Sequence, residues 1–228
     1  MTEKLGIVKV SNSKSISVVN NKPICKPESE SNYEIHDNVC IRDKETLKEL
    51  YPDCFNGIGH FRKKYKIELL DNAVPVVSPP RKYPIQLREE ICNKLQEMED
   101  LGVIEKCAGD DPCEWVNSIA FSRKASGELR VCLDPRNLNK AIKRTYHKIP
   151  TLDELSHELA GATVFSKLDA KHGYWSIELE EESSNLCTFN SPAGKYKFCR
   201  LPFGLCVSQD IFQKYMDDVT ARAVVLYI

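Results

Sequence analysis

At 228 residues, with 42% hydrophobic and 29% charged residues and a formal net charge of −1, the sequence suits a soluble globular protein of one or two domains. No apolar run approaches the roughly 20 residues a membrane span needs, and "MTEKLGIVKV" lacks the apolar core of a signal peptide, so an intracellular, cytoplasmic protein with no membrane partner is expected. Ten cysteines lie singly between Cys25 and Cys206 with no C-x-x-C pair, which points to reduced, partly buried thiols rather than a disulfide framework.

Residues 1–75 show little periodicity. "SNSKSISVVNNKPICKPESESN" is polar and rich in Ser, Asn and Lys, and the region reads as a loosely structured linker or connector. The prolines of "VPVVSPPRKYP" then impose an extended path, and the main domain is expected over 76–228. Next, Leu87, Ile91, Leu95, Met98 and Leu101 recur every three or four residues among charges, predicting an amphipathic helix that Gly102 ends. Residues 118–124 and 129–133 read as two strands of a hairpin turning at "ASGE". Thr151 with Glu154 three residues on forms a capping box for a second helix. "TVFSKLDA" reads as a buried strand ending in Asp169, and the alternation from Trp175 to Leu179 predicts another. Interleaved helices, strands and hairpins imply an α+β fold rather than a regular parallel α/β one.

Charge is uneven along the chain. Between Arg123 and Lys148 there are eight Lys and Arg (Arg123, Lys124, Arg130, Arg136, Lys140, Lys143, Arg144, Lys148) against Glu128 and Asp134, a net +6. A local strip of this kind can bind phosphate even when the whole chain is neutral.

Several motifs follow in a fixed order: "GVIEKC", "WVNSIAFSRKASGELRVCLDPRNLNKAIKR", "TLDELSHELAGATVFSKLDAKHGYWSIELE", "KYKFCRLPFGL" and "DIFQKYMDDV". Together they resemble the fingers and palm of reverse transcriptases from long-terminal-repeat retrotransposons of the Ty3/gypsy type, from about Tyr51 to Val219, and "YPDCFNGIGHF" resembles the connector before the polymerase. The resemblance implies a partial right-hand polymerase fold of fingers and incomplete palm. It also implies template-directed DNA synthesis, a nucleic-acid template–primer and dNTPs as partners, and two Mg²⁺ ions. Two such ions, roughly 3.5–4 Å apart, stabilise the attacking and leaving oxygens of phosphoryl transfer, and magnesium requires hard oxygen ligands.

Residue by residue, Asp169 matches the family's first metal-binding aspartate, and Ala170 a position whose backbone lies beside the metal and triphosphate. Tyr174 matches the aromatic that packs under the incoming sugar. Arg130 resembles the fingers arginine on the triphosphate and Lys124 the lysine at its terminal phosphate, with Arg123 as an alternative if the hairpin register shifts. An arginine fork and a lysine point charge both suit phosphate oxygens. Phe203 and Gly204 match the family's turn beside nucleotide and template.

Tyr215-Met216-Asp217-Asp218 spells the family's metal-binding tetrapeptide but comes only a dozen residues after Phe203, where the family has a helix. Ile211, Phe212, Tyr215, Met216 and Val219 recur at helical spacing, with Ser208 as an N-cap, and consecutive helical residues point about 100° apart. Asp217 and Asp218 are therefore expected to be a helix-borne lookalike facing solvent. Tyr227-Ile228 resembles the first half of the family's Tyr-x-Asp-Asp. The expectation is a polymerase segment ending before its second metal-binding pair and unable to polymerise unaided; the alternative is a non-catalytic nucleic-acid-binding remnant.

Overall fold

The computed structural model describes residues 44–108, 112–149, 151, 154 and 170–220. Asp169, the strand expected before it, most of the second helix and residues 1–43 and 221–228 lie outside the described residues. Helix α1 (Lys44–Leu50) leads the described chain. Helix α2 (Arg88–Asp100) follows the extended proline-rich segment and a short 3-10 turn at Ile85–Leu87. It buries Ile91, Leu95 and Met98 completely. Each such side chain contributes on the order of 1.5–3 kcal/mol of burial energy. Gly102, at φ +64, supplies the left-handed turn that ends the helix.

Strand β1 (Ile104–Lys106) then joins β4 (Thr188–Ser191) and β5 (Gly194–Phe198) in an antiparallel sheet of order β1-β5-β4. Strands β2 (Ser118–Arg123) and β3 (Leu129–Asp134) form the expected hairpin. Leu129, Val131 and Leu133 alternate inward along β3 and leave Arg130 on the outer face. Helix α3 (Arg136–Ala141) follows β3 directly. The buried Asn117 ties the hairpin to β4. Its backbone N–H donates to the Thr188 carbonyl at 2.7 Å, and its Nδ2 donates to Leu186 O at 2.8 Å and Thr188 O at 3.0 Å. Helix α4 (Glu181–Leu186) and the long helix α5 (Ser208–Thr220) complete the described elements, giving a mixed α+β architecture around one core cluster.

Three expectations need correction. Packing runs straight across the boundary drawn at residue 75. Phe61 and Ile67 are buried in the main core, Tyr65 N–H donates to Glu178 O at 2.8 Å, Glu180 N–H to Tyr65 O at 3.0 Å, and Ile67 N–H to the buried Ser183 Oγ at 2.8 Å. The segment was illegible because it pairs through isolated bridges and single hydrogen bonds, which impose no regular polarity pattern. The strand expected over 175–179 is half 3-10 turn: Gly173–Ser176 curls, and only residues 177–179 run extended beside 199–201. Finally, Ser208 is the first residue of α5 rather than the cap before it, and its hydroxyl donates to Pro202 O at 2.8 Å and pins the preceding turn.

The capping box is present: Thr151 N–H donates to Glu154 Oε2 at 3.0 Å and Glu154 N–H to Thr151 Oγ1 at 3.4 Å. Cys92, Cys113, Cys132, Cys187, Cys199 and Cys206 form no disulfide. Among the described residues no helix is long and apolar enough to cross a membrane.

Candidate active site

The outer face of the β2–β3 hairpin meets two segments that are distant in sequence. Ser122 pairs with Arg130 across the hairpin and Lys124 stands level with Glu128, so Lys124 and Arg130 share one face. Arg123 takes the opposite face. There its guanidinium forms a two-pronged pair with Glu90 of α2, at 2.8 and 2.7 Å, and donates to Gly127 O at 2.9 Å. The observed register thus separates Arg123 from Arg130 and leaves Lys124 as its companion.

Arg130 lies over the Phe203 ring, with its guanidinium carbon 5.0 Å from the ring centroid. Phe203 packs on Tyr174 at 4.7 Å between centroids, and Tyr174 meets Phe212 of α5 edge-on at 5.4 Å. A cation and three aromatic rings thereby form a continuous row drawn from the hairpin, the 203–204 turn, the turn after Ala170, and α5. Gly173 keeps this row closed, since a Cβ there would sit 2.7 Å from Phe212 Cζ and 3.5 Å from Ala170 Cβ. Ala170 therefore borders the same surface, and Asp169 precedes it in sequence.

Gly204 is required by a contact within the fold. At φ +108 its missing Cβ would fall 1.9 Å from the carbonyl oxygen of Leu133, so the turn lies directly on the backbone of β3. Leu133 N–H donates to Phe203 O at 2.9 Å, and Asn139 closes the junction by donating from Nδ2 to Gly204 O at 3.0 Å while its Oδ1 accepts Cys206 N–H at 2.9 Å. Asn139 escaped sequence reasoning because an asparagine inside a short helix carries no signal of a partner 65 residues away.

Lys124 is already engaged. Its Nζ donates to Glu128 Oε2 at 2.6 Å, while the other oxygen of Glu128 takes Lys94 Nζ at 2.7 Å. Lys94 is buried on α2 and also reaches both oxygens of Glu97, at 3.0 and 2.9 Å. The hydrogen bonds from Lys124 and Lys94 hold the Glu128 carboxyl down at about 2. Nearby, His172 adopts a left-handed backbone (φ 56) and stacks on Trp175 at 4.7 Å. Its imidazole is held below its usual value by burial first, and then by the charge of Lys124.

Most of the basic strip is partnered by acids. Arg136 pairs with Asp134 at 3.2 Å, Lys143 with Asp71 at 3.3 Å, Lys148 with Glu154 at 2.6 Å, and Arg81 adds a second pair to Asp134. Arg144 donates to Cys206 O at 3.2 Å. The +6 counted along the sequence is therefore not an unpaired cationic face.

Asp217 and Asp218 lie within α5. Asp218 is exposed, whereas Asp217 is half-buried and both of its carboxylate oxygens are used: Oδ2 meets His147 Nε2 at 2.6 Å and Oδ1 accepts Gln213 Nε2 at 2.8 Å. Tyr215 packs edge-on against Phe61 at 5.2 Å. Among the described residues no three His, Cys, Asp or Glu side chains are grouped to hold a metal ion.

Solved structures share the fold. A foamy viral protease–reverse transcriptase in complex with an RNA/DNA hybrid superposes with a TM-score of 0.64 at 16% identity, over 80% of this chain and 25% of that one. The prototype foamy virus protease–reverse transcriptase gives 0.62 at 21% identity, over 78% of this chain and 24% of that one. The fold is that of a polymerase's fingers and part of its palm. Residues 122–224 match the family model described as reverse transcriptase (RNA-dependent DNA polymerase). The Caenorhabditis elegans protein K02A2.6 is 33% identical over 180 residues, covering 77% of this chain and 14% of its own length. The enzymatic polyprotein of Cauliflower mosaic virus (strain Strasbourg) is 34% identical over 157 residues, covering 68% of this chain and 23% of its own length. The chain carries retroelement reverse-transcriptase sequence, and it spans less than a quarter of these two relatives.

Proposed function

We propose that the chain serves as the nucleotide-gripping fingers–palm part of an RNA-directed DNA polymerase, binding a template–primer and an incoming dNTP. The observation that carries this is the row of Arg130, Phe203, Tyr174 and Phe212, four residues from separate segments stacked beside Ala170. Arg130 has no acid partner among the described residues, so its guanidinium keeps donors available for phosphate oxygens while Phe203 holds its plane. Tyr174 is fixed between two rings, which suits a side chain that must stay rigid under a sugar and crowd a 2′-hydroxyl. Lys124, on the same hairpin face, is the residue that would meet the terminal phosphate on leaving Glu128.

Asp169 and the Ala170 carbonyl are the residues that would hold magnesium, which when bound supplies positive charge to the phosphoryl oxygens. The chain's own contribution is geometric: the Gly204 junction locks the Phe203 turn to β3, and Arg130 is thereby set at a fixed height above the aromatic row. The foamy viral enzyme was solved with an RNA/DNA hybrid and, in a related structure, with double-stranded DNA, which supports nucleic acid as the partner of this chain.

Fluorescence anisotropy of a labelled RNA/DNA hybrid tests the reading. The account expects binding that weakens steeply with salt and a complex tightened by the next complementary dNTP in Mg²⁺ but not by a mismatched one. Indifference to the identity of the added dNTP would contradict it.

A further inference from the structure

The hairpin turn closes through the backbone without the Glu128 side chain, with Lys124 N–H donating to Glu128 O at 3.0 Å and Gly127 N–H to Lys124 O at 2.9 Å, and Lys94 also holds both oxygens of Glu97. Yet the Glu128 carboxylate spans Lys94 and Lys124, one oxygen to each, at 2.7 and 2.6 Å. The two ammonium groups thus already converge on a single anion. That anion stands on the same hairpin face as Arg130.

We propose that Glu128 is an internal competitor for the terminal phosphate of the incoming nucleotide: it occupies Lys124 in the free protein and yields it when a triphosphate arrives. The proposal rests on the nucleotide reading above and adds to it a residue that sets affinity. The exchange is an ion-pair swap with no covalent step. Lys124 moves from Glu128 Oε2 to a phosphate oxygen, and Glu128 stays compensated because Lys94 continues to hold Oε1. The asymmetry follows from exposure. The Lys94 side chain is only 9% exposed and cannot be left without an anion, whereas Lys124 is 31% exposed and free to turn outward. A ligand with a single phosphate and little charge competes poorly with a carboxylate already in place; a triphosphate, with several charges and a second anchor at Arg130, competes well. Glu128 would therefore favour triphosphates over shorter phosphates.

Isothermal titration with inorganic tripolyphosphate and with a dNTP, on the full chain and on Glu128→Gln, Lys124→Ala, the double variant and Arg130→Ala, tests this. The proposal expects Glu128→Gln to tighten tripolyphosphate binding by about three- to fivefold, the range of one partly exposed ion pair. The double variant should lose that gain. Unchanged or weaker binding by Glu128→Gln, with Lys124→Ala and Arg130→Ala still weakening it, would overturn the competitor role and leave the nucleotide site intact. If neither Lys124→Ala nor Arg130→Ala has any effect, the nucleotide reading itself fails. Should Glu128→Gln not fold, the wild-type protein gives the same answer: tripolyphosphate is expected to shift the Glu128 side-chain carboxyl resonance toward a less paired state, and an unmoved resonance would refute the exchange.

Discussion

Two regions of the molecule carry the marks of a polymerase site, and they differ in how those marks arise. On α5 the letters are contiguous: Tyr215-Met216-Asp217-Asp218 reads as a metal motif, but Tyr215 packs against Phe61 and Asp217 spends both oxygens on His147 and Gln213. On the hairpin face nothing is contiguous. Arg130, Tyr174, Phe203 and Phe212 come from four segments, and only folding aligns them. A short motif reports local spelling, whereas a site is defined by where side chains end up and what they remain free to bind.

The sharpest way to break the converged face is at its joint. Gly204→Ala forces a Cβ into the Leu133 carbonyl with a backbone that only glycine adopts comfortably, and the expected cost is at least about 3 kcal/mol. Thermal or urea unfolding reads it; wild-type stability would mean the turn does not rest on β3. Next in size, Arg130→Ala should weaken dNTP binding by roughly tenfold, the value of a charge-assisted contact to phosphate, while lowering stability by no more than about 1 kcal/mol for the lost contact with Phe203. A large stability loss with unchanged binding would make Arg130 a packing residue.

Acid titration probes the hairpin tip. The Glu128 carboxyl sits at about 2 when folded, below its ordinary value, so its stabilising contribution is complete above about pH 4.5 and is lost as pH falls toward 2. Because Glu128 is 42% exposed, solvent screening reduces this to about 1 kcal/mol, visible as the difference between wild type and Glu128→Gln in unfolding at pH 5 and pH 2. An identical pH dependence in both would show that the two lysine pairs carry no energy. The smallest effect belongs to α5: Asp217→Asn should cost no more than about 1 kcal/mol, from a partly exposed pair with His147, and leave dNTP binding unchanged.

Much of the fold was legible where a period was long enough to read. Helix α2 followed from Ile91, Leu95 and Met98, the hairpin from its turn, and the capping box from Thr151 and Glu154. Residues 61–70 were missed because their partners at 176–183 and 141–143 impose no alternation, and Trp175 was drawn into a strand because a 3-10 turn buries neighbours without a period of two. In the site, the motif order brought out Arg130, Tyr174 and Phe203. The roles of Lys94, Glu128 and Asn139 depend on contacts between residues more than 30 positions apart, which no local pattern encodes.

The central claim is that an incoming nucleotide binds at the Arg130–Phe203–Tyr174 face and not along α5. Photocrosslinking with an azido-dNTP in the presence of template–primer, followed by peptide mapping, tests it most directly. The account predicts label on peptides containing Arg130, Tyr174 or Phe203; label confined to the peptide of Gln213 to Val219 would contradict it.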